Sequence, residues 1–290
     1  MVALGFGQTV RAVTFEGKWG TLGEGNYGFH QPVGVAVGPT GDIYVADQDN
    51  GRIQVFTEAG IYKATLGHNP RTLSRPSCVL VDPAGYAYVS DGTDGIKKFR
   101  PNGTFFNGWR WRLNGTSAPL GLALTSPENG SYLLVVIYHS EKGAIVTDPH
   151  SGAVFSGGAF LNYEPFYWPE AIALAPDGDI YVADAALCRI EEFDSEHRFV
   201  RAWGKRGTGS GEFQAPSGLA VGAHGEVYVA DKYNDRIQVF SADGVFQESW
   251  GERGAGNGKF YWPTSVAYNT TNGEVYVADS LNNRIQRFKL

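Results

Sequence analysis

Short runs of β-branched and aromatic residues, broken by Gly, Asn and Asp, recur along the whole chain. The last full run, Glu274 to Phe288, reads EVYVADSLNNRIQRF and predicts two strands across a tight turn. Val275–Ala278 form the first strand, Asp279 ends it, and Arg284–Phe288 form the second. Asn282 and Asn283 fall at the reversal, where side-chain bonds to nearby N–H groups and tolerance of left-handed geometry favour Asn. The longest apolar run, Tyr132–Tyr138, reads as a buried strand and is too short to span a bilayer.

The same pattern appears as IYVADQDNGRIQVF at Ile43–Phe56, VYVADKYNDRIQVF at Val227–Phe240 and, more loosely, IYVADAALCRIEEF at Ile180–Phe193. AYVSDGTDGIKKF at Ala87–Phe99 is one residue shorter and lacks the arginine. VVIYHSEKGAIVTD at Val135–Asp148 has His139 in place of the aspartate. The anchor position falls at 47, 91, 139, 184, 231 and 279, at intervals of 44, 48, 45, 47 and 48. A period in the forties built from short strands predicts one four-stranded propeller blade per repeat. Six repeats predict a six-bladed, all-β propeller in a single domain over residues 1–290.

Each repeat divides into strands a to d, from the axis outward. In repeat five these are Ser217–Val221, Glu226–Ala230, Arg236–Phe240 and Val245–Trp250. Strand a is small and apolar because it crowds the axis. Glycine-rich connections then run inward to a proline, as WGTLGEGNYGFHQP from Trp19, WGKRGTGSGEFQAP from Trp203 and WGERGAGNGKFYWP from Trp250. No helix and no Gly-Lys-Ser/Thr follows them, so they read as connections and not phosphate cradles. A phenylalanine three residues before the proline (Phe29, Phe166, Phe213, Phe260) is expected to wedge between blades. The chain ends after strand c of repeat six, while Val10–Trp19 carries the strand d pattern. Phe15 and Trp19 match Phe199 and Trp203, and Phe246 and Trp250. The N-terminal segment is therefore expected to complete the last blade and remove an exposed edge.

The motif Ile-Tyr-Val-Ala-Asp-x-x-Asn-x-Arg-Ile-Gln-Val-Phe, preceded by Pro-x-Gly-Val-Ala-Val, resembles the NHL repeat. The resemblance is strong in repeats one, five and six, moderate in four and weak in two and three. It implies a six-bladed β-propeller. It implies no single activity, since such propellers occur in RNA-binding and ubiquitin-ligase proteins, receptor ectodomains and an amidating lyase.

Thirty acidic against twenty-four basic residues give a formal charge of −6, which disfavours a sequence-independent grip on nucleic acid. Cys78 and Cys188 sit in different parts of different repeats and read as two unpaired thiols. Residues 1–12 lack the charged start and apolar core of a signal peptide. Four Asn-x-Ser/Thr sequons, at Asn102, Asn114, Asn129 and Asn269, fall in predicted turns or loops and hint at a secreted or lumenal setting. Localisation and oligomeric state stay open.

The repeated Asp and Arg tempt a catalytic reading, but residues required at every blade answer a need of every blade. Asp47, Asp231 and Asp279 are expected to accept turn N–H bonds and to pair with Arg52, Arg236 and Arg284. In the amidating lyase the resemblance places zinc-binding histidines just after the proline that opens strand a. Here those positions hold Val33, Ser77, Leu120, Glu170, Ser217 and Thr264. His30, His68, His139, His150, His197 and His224 occupy differing parts of their repeats and give no convergent ligand set. Gly-x-Ser-x-Gly and His-Glu-x-x-His are absent. No cofactor is implied.

Three functions remain to be separated. One is a non-catalytic scaffold binding a protein or peptide through its loop face. Another is RNA binding through Trp109-Arg110-Trp111-Arg112 with Arg71 and Arg75, although the alternation of Arg110 and Arg112 with tryptophan also fits an outer strand with one wet face. The third is a channel-metal hydrolase or lyase. For the first, Tyr167-Trp168 and Tyr261-Trp262 precede the prolines of repeats four and six, where repeats one and five have His30-Gln31 and Gln214-Ala215. Tyr233 falls between them in the b-to-c turn of repeat five, and Glu170 is the one charged residue at the post-proline positions. Exposed Trp and Tyr favour binding, yet both tryptophans would serve equally as wedges beside Phe166 and Phe260. Tyr167, Trp168, Glu170, Tyr233, Tyr261 and Trp262, with Arg75 at the rim, form the candidate binding patch.

Overall fold

In repeat five the two middle strands, Val227–Asp231 and Arg236–Phe240, are buried along nearly their whole length, while the outer strand, Phe246–Trp250, alternates between half-buried and exposed, so the sheets hide their apolar faces by packing face to face. The computed structural model describes residues 12–67, 72–92, 95–109, 119–125, 133–138, 143–149 and 166–290. The innermost strands, Pro32–Val37, Pro76–Val81, Pro119–Thr125, Pro169–Leu174, Pro216–Val221 and Pro263–Tyr268, neighbour one another in a closed cycle. Proline suits each strand start because no ladder donor is needed there. Crowding at the axis is tight: a Cβ on Gly218 would stand 2.6 Å from Ser265 Cα.

In repeat five the strands are Pro216–Val221, Val227–Asp231, Arg236–Phe240 and Phe246–Trp250, paired antiparallel in that order. Repeats one, two, four and six give four-stranded sheets of the same order. The expected six-bladed propeller of four-stranded blades needs correction. The described residues form five four-stranded blades, not six. The sheet of repeat three holds three among the described residues: Pro119–Thr125, Leu133–Tyr138 and Gly143–Thr147. That repeat lacks both the aspartate and the arginine of the motif, so the bonds that tie the other blades to their inward connections have no counterpart in its sequence.

Those bonds are the same in repeats one, five and six. Asp279 is fully buried and accepts from the Tyr261 N–H (2.7 Å), Asn282 Nδ2 (2.9 Å), Arg284 Nε (2.7 Å) and Gln286 Nε2 (3.0 Å). The Arg284 guanidinium then donates to the carbonyls of Ala255, Gly256 and Lys259 in the inward connection. Asp47 with Arg52, and Asp231 with Arg236, repeat the arrangement. A buried charge pair persists only when its remaining donors and acceptors are filled, and here the glycine-rich backbone fills them. The repeated Asp and Arg are structural. Just before each arginine the chain turns through left-handed backbone, at Gly51, Cys188, Asp235 and Asn283 (φ 60, 53, 53 and 51°).

Between blades, aromatic rings repeat as a node. Phe288, at the end of strand c, meets Phe260 at 5.7 Å, Trp250 at 5.6 Å and Phe15 at 5.9 Å. Phe240 meets Phe213, Trp203 and Phe246 in the same way. Phe29, Phe166, Phe213 and Phe260 are all buried and fill the wedge positions. The Trp-Gly pair follows from this: Gly251 has φ 101°, and a Cβ there would lie 2.4 Å from the Phe260 ring.

The N-terminal strand, Thr14–Trp19, pairs antiparallel with Arg284–Lys289, from Thr14 opposite Lys289 to Trp19 opposite Ile285. Trp19 packs on Phe56 of the first blade (5.6 Å) and Tyr276 of the last (6.2 Å), joining the two ends of the chain. Both cysteines are free thiols. Among the sequons, Asn102 is exposed, whereas Asn269 is buried, with its amide donating to Glu58 Oε1 at 2.9 Å. Glycan attachment at Asn269 is therefore excluded in the folded chain. Asn114, Asn129, Arg71 and Arg110–Arg112 lie outside the described residues.

Deleting residues 1–20 is expected to bare the edge of Arg284–Lys289 and lower stability by several kcal/mol, the scale of losing a core element. Chemical denaturation of the truncated protein measures this, and an unchanged midpoint refutes it. Arg284→Leu should cost about 3–5 kcal/mol, because Asp279 keeps its buried charge without its ion partner. Urea unfolding of that variant gives the number.

Candidate functional site

The six residues after the prolines, Val33, Ser77, Leu120, Glu170, Ser217 and Thr264, come together on one rim. They surround a cavity of about 240 Å³ at the channel mouth, which adjoins an inner channel of about 450 Å³ lined by the strands a. Inward connections and b-to-c turns meet on this face. Sequence position alone thus placed Glu170 correctly at the mouth.

The Asp clamps also set the aromatic residues. Tyr167 and Trp168 donate their backbone N–H groups to Asp184 (2.6 and 3.2 Å), and Tyr261 donates to Asp279. Trp262 donates to Asp235 Oδ1 (2.8 Å) from left-handed backbone at φ 56°. Gln31 and Ala215 share that geometry at the same position of their repeats (φ 54 and 56°), so it belongs to the connection and not to tryptophan. With the backbone held inward, the side chains project from the face. Tyr167, Trp168, Tyr233 and Trp262 are 59, 46, 49 and 36% exposed, against 2 and 0% for Phe166 and Phe260. The tryptophans do not wedge between blades; the phenylalanines do.

Tyr233, Tyr261 and Trp262 form one group, with Trp262 edge-on to Tyr233 at 5.2 Å and to Tyr261 at 6.1 Å. The Arg253 guanidinium lies 4.5 Å over the Tyr261 ring. Trp168 hydrogen-bonds Glu170 through its indole N–H. Burial pushes the Glu170 carboxyl above the ordinary glutamate range, opposed by the nearby Lys232 ammonium and by that hydrogen bond. Arg75 sits apart from this sector, donating to Gln48 (3.2 Å) and Asp49 (3.3 Å) in the turn of repeat one.

Lys232 is the residue that sequence reasoning missed. It lines the mouth, and its ammonium lies 5.4 Å from the Tyr233 ring centre and 5.7 Å from that of Trp262. The signal was present: the position after the motif aspartate holds Gln48, Gly92, Ala185, Lys232 and Ser280 in five repeats, and only one is charged. Among the described residues no group of three His, Cys, Asp or Glu side chains is placed to hold a metal ion. On the RNA candidate, Trp109 stacks on Tyr88 at 6.3 Å.

The NHL repeat family matches residues 29–56, 213–240 and 260–288. No curated protein matches the chain. Among solved structures, the chain resembles virginiamycin B lyase from Staphylococcus aureus, with 14% identity over 96% of this chain and 99% of that one and a TM-score of 0.63. A gluconolactonase from Xanthomonas campestris aligns at 12% identity over 90 and 86%, TM-score 0.67. An auxiliary nutrient binding protein from Bacteroides thetaiotaomicron aligns at 14% over 95 and 75%, TM-score 0.71. At these identities the likeness speaks for the propeller fold.

Lys232→Met removes the cation facing Glu170 and should raise the Glu170 titration midpoint further. Carboxyl carbon NMR of the wild type and the variant checks this; an unmoved or lowered midpoint refutes it.

Proposed function

This chain is a β-propeller of the NHL-repeat family, and from that premise we propose that it is an interaction scaffold that binds a protein or peptide segment at its channel mouth. The observation that carries the reading is the exposure of Tyr167, Trp168, Tyr233 and Trp262 on one sector of the loop face while Phe166 and Phe260 fill the blade interfaces. Rigid aromatic side chains bury much area at small entropy cost, which suits them as anchors. Glu170 and Lys232 add polar groups of both signs at the centre of the sector. Placed polar groups of this kind orient a ligand. The fold neighbours include proteins whose names denote a lyase, a lactonase and a nutrient-binding protein, so the fold is compatible with several uses.

Trp168→Ala and Trp262→Ala are expected to weaken capture of a partner at least tenfold each, with the melting temperature kept within a few degrees. Affinity capture from the source cell, quantified side by side for wild type and both variants, is the test. Equal capture by all three proteins places the binding surface elsewhere.

A further inference from the structure

Glu170 and Lys232 line the same 240 Å³ cavity with opposite charges, yet no ion pair within 4.0 Å joins them. Each is held in place by something else. Glu170 takes the indole N–H of Trp168, and Lys232 rests over the rings of Tyr233 and Trp262. The cavity therefore presents one fixed carboxylate and one fixed ammonium to whatever enters it. The remaining walls at this level carry no further charge: Val33 and Leu120 are apolar, Gln31, Gln48 and small hydroxyl residues are neutral, and the channel behind them is lined by strand a residues.

We propose that the mouth binds a small zwitterion with an apolar side chain, an amino acid or short peptide with both termini free, its ammonium on Glu170 and its carboxylate on Lys232. This narrows the occupant within the reading of the face as a peptide-binding surface, and rests on it. Opposite charges held apart in a partly desolvated site gain most from a ligand that answers both at once. The end of a long polypeptide carries only one of the two charges and leaves the other facing it unanswered. Size agrees, since pockets for drug-sized ligands run to about 300–1,000 Å³ and this one is smaller. The apolar side chain has Val33, Leu120 and the channel beyond to occupy.

The test is calorimetric titration of the full chain with L-leucine and with L-leucyl-L-leucine, each beside its C-terminal amide and its N-acetyl form. One or both zwitterions should bind, and each capped form should bind at least tenfold more weakly. Free leucine alone binding identifies an amino-acid site, and the dipeptide binding more tightly identifies a short-peptide site. In Glu170→Gln the penalty for acetylation should vanish while that for amidation stays; in Lys232→Met the reverse should hold. No binding by either zwitterion, or equal binding of capped and uncapped forms by the wild type, overturns the proposal without need of a variant. If neither zwitterion binds while Trp168→Ala and Trp262→Ala still lose partner capture, this inference fails and the scaffold reading stands.

Discussion

The structure depends on a buried carboxylate that faces two ways. Asp47, Asp231 and Asp279 end a central strand, and each binds the backbone N–H of its inward connection and an arginine from the next strand. The arginine then donates to the carbonyls of the same connection. A loop rich in glycine has little side-chain surface to bury and a large conformational entropy to lose. The clamp supplies it with buried, charge-assisted bonds instead. The same aspartate therefore shapes both the blade and the face that the connection forms.

Once the connections are fixed, the blades pack through aromatic nodes. A phenylalanine from the connection, one from strand c and a tryptophan from strand d meet at each of several blade interfaces. At the first interface the tryptophan is Trp19, and it comes from the beginning of the chain while its sheet comes from the end. Closure thus uses no special device. It reuses the ordinary node, with strand d supplied from the far terminus, and it covers an edge that would otherwise pair with other chains.

The mouth inherits its precision from this frame. Tyr167, Trp168, Tyr261 and Trp262 have their backbone N–H groups bound by aspartates, so the side chains are free to face outward. Repeats one and five hold the same backbone with Gln31 and Ala215 at the Trp262 position. The face is a template on which side chains vary while the main chain does not. That is why one sector can differ in chemistry at little cost to the fold.

The sequence by itself determined the period, the antiparallel strands of the strong repeats, the pairing of the N-terminal segment and the roles of Asp and Arg. These follow from local rules: alternation sets strand faces, Asn and Asp set turns, and a residue repeated in several blades must serve the blade. It also placed Glu170 at the mouth, because proline fixes where strand a begins. The expectation of six four-stranded blades did not hold: among the described residues repeat three, where the motif is weakest, contributes three strands. Whether Trp168 and Trp262 wedge or project was not legible either, since Tyr-Trp before proline has the same composition in both cases. Tertiary packing decided it: Phe166 and Phe260 are buried at the interface, and the backbone held by Asp184, Asp279 and Asp235 leaves the tryptophans on the exposed side. The facing of Glu170 and Lys232 was likewise decided in space, because the two residues lie on neighbouring blades and the packing of one blade on the next brings them to one cavity.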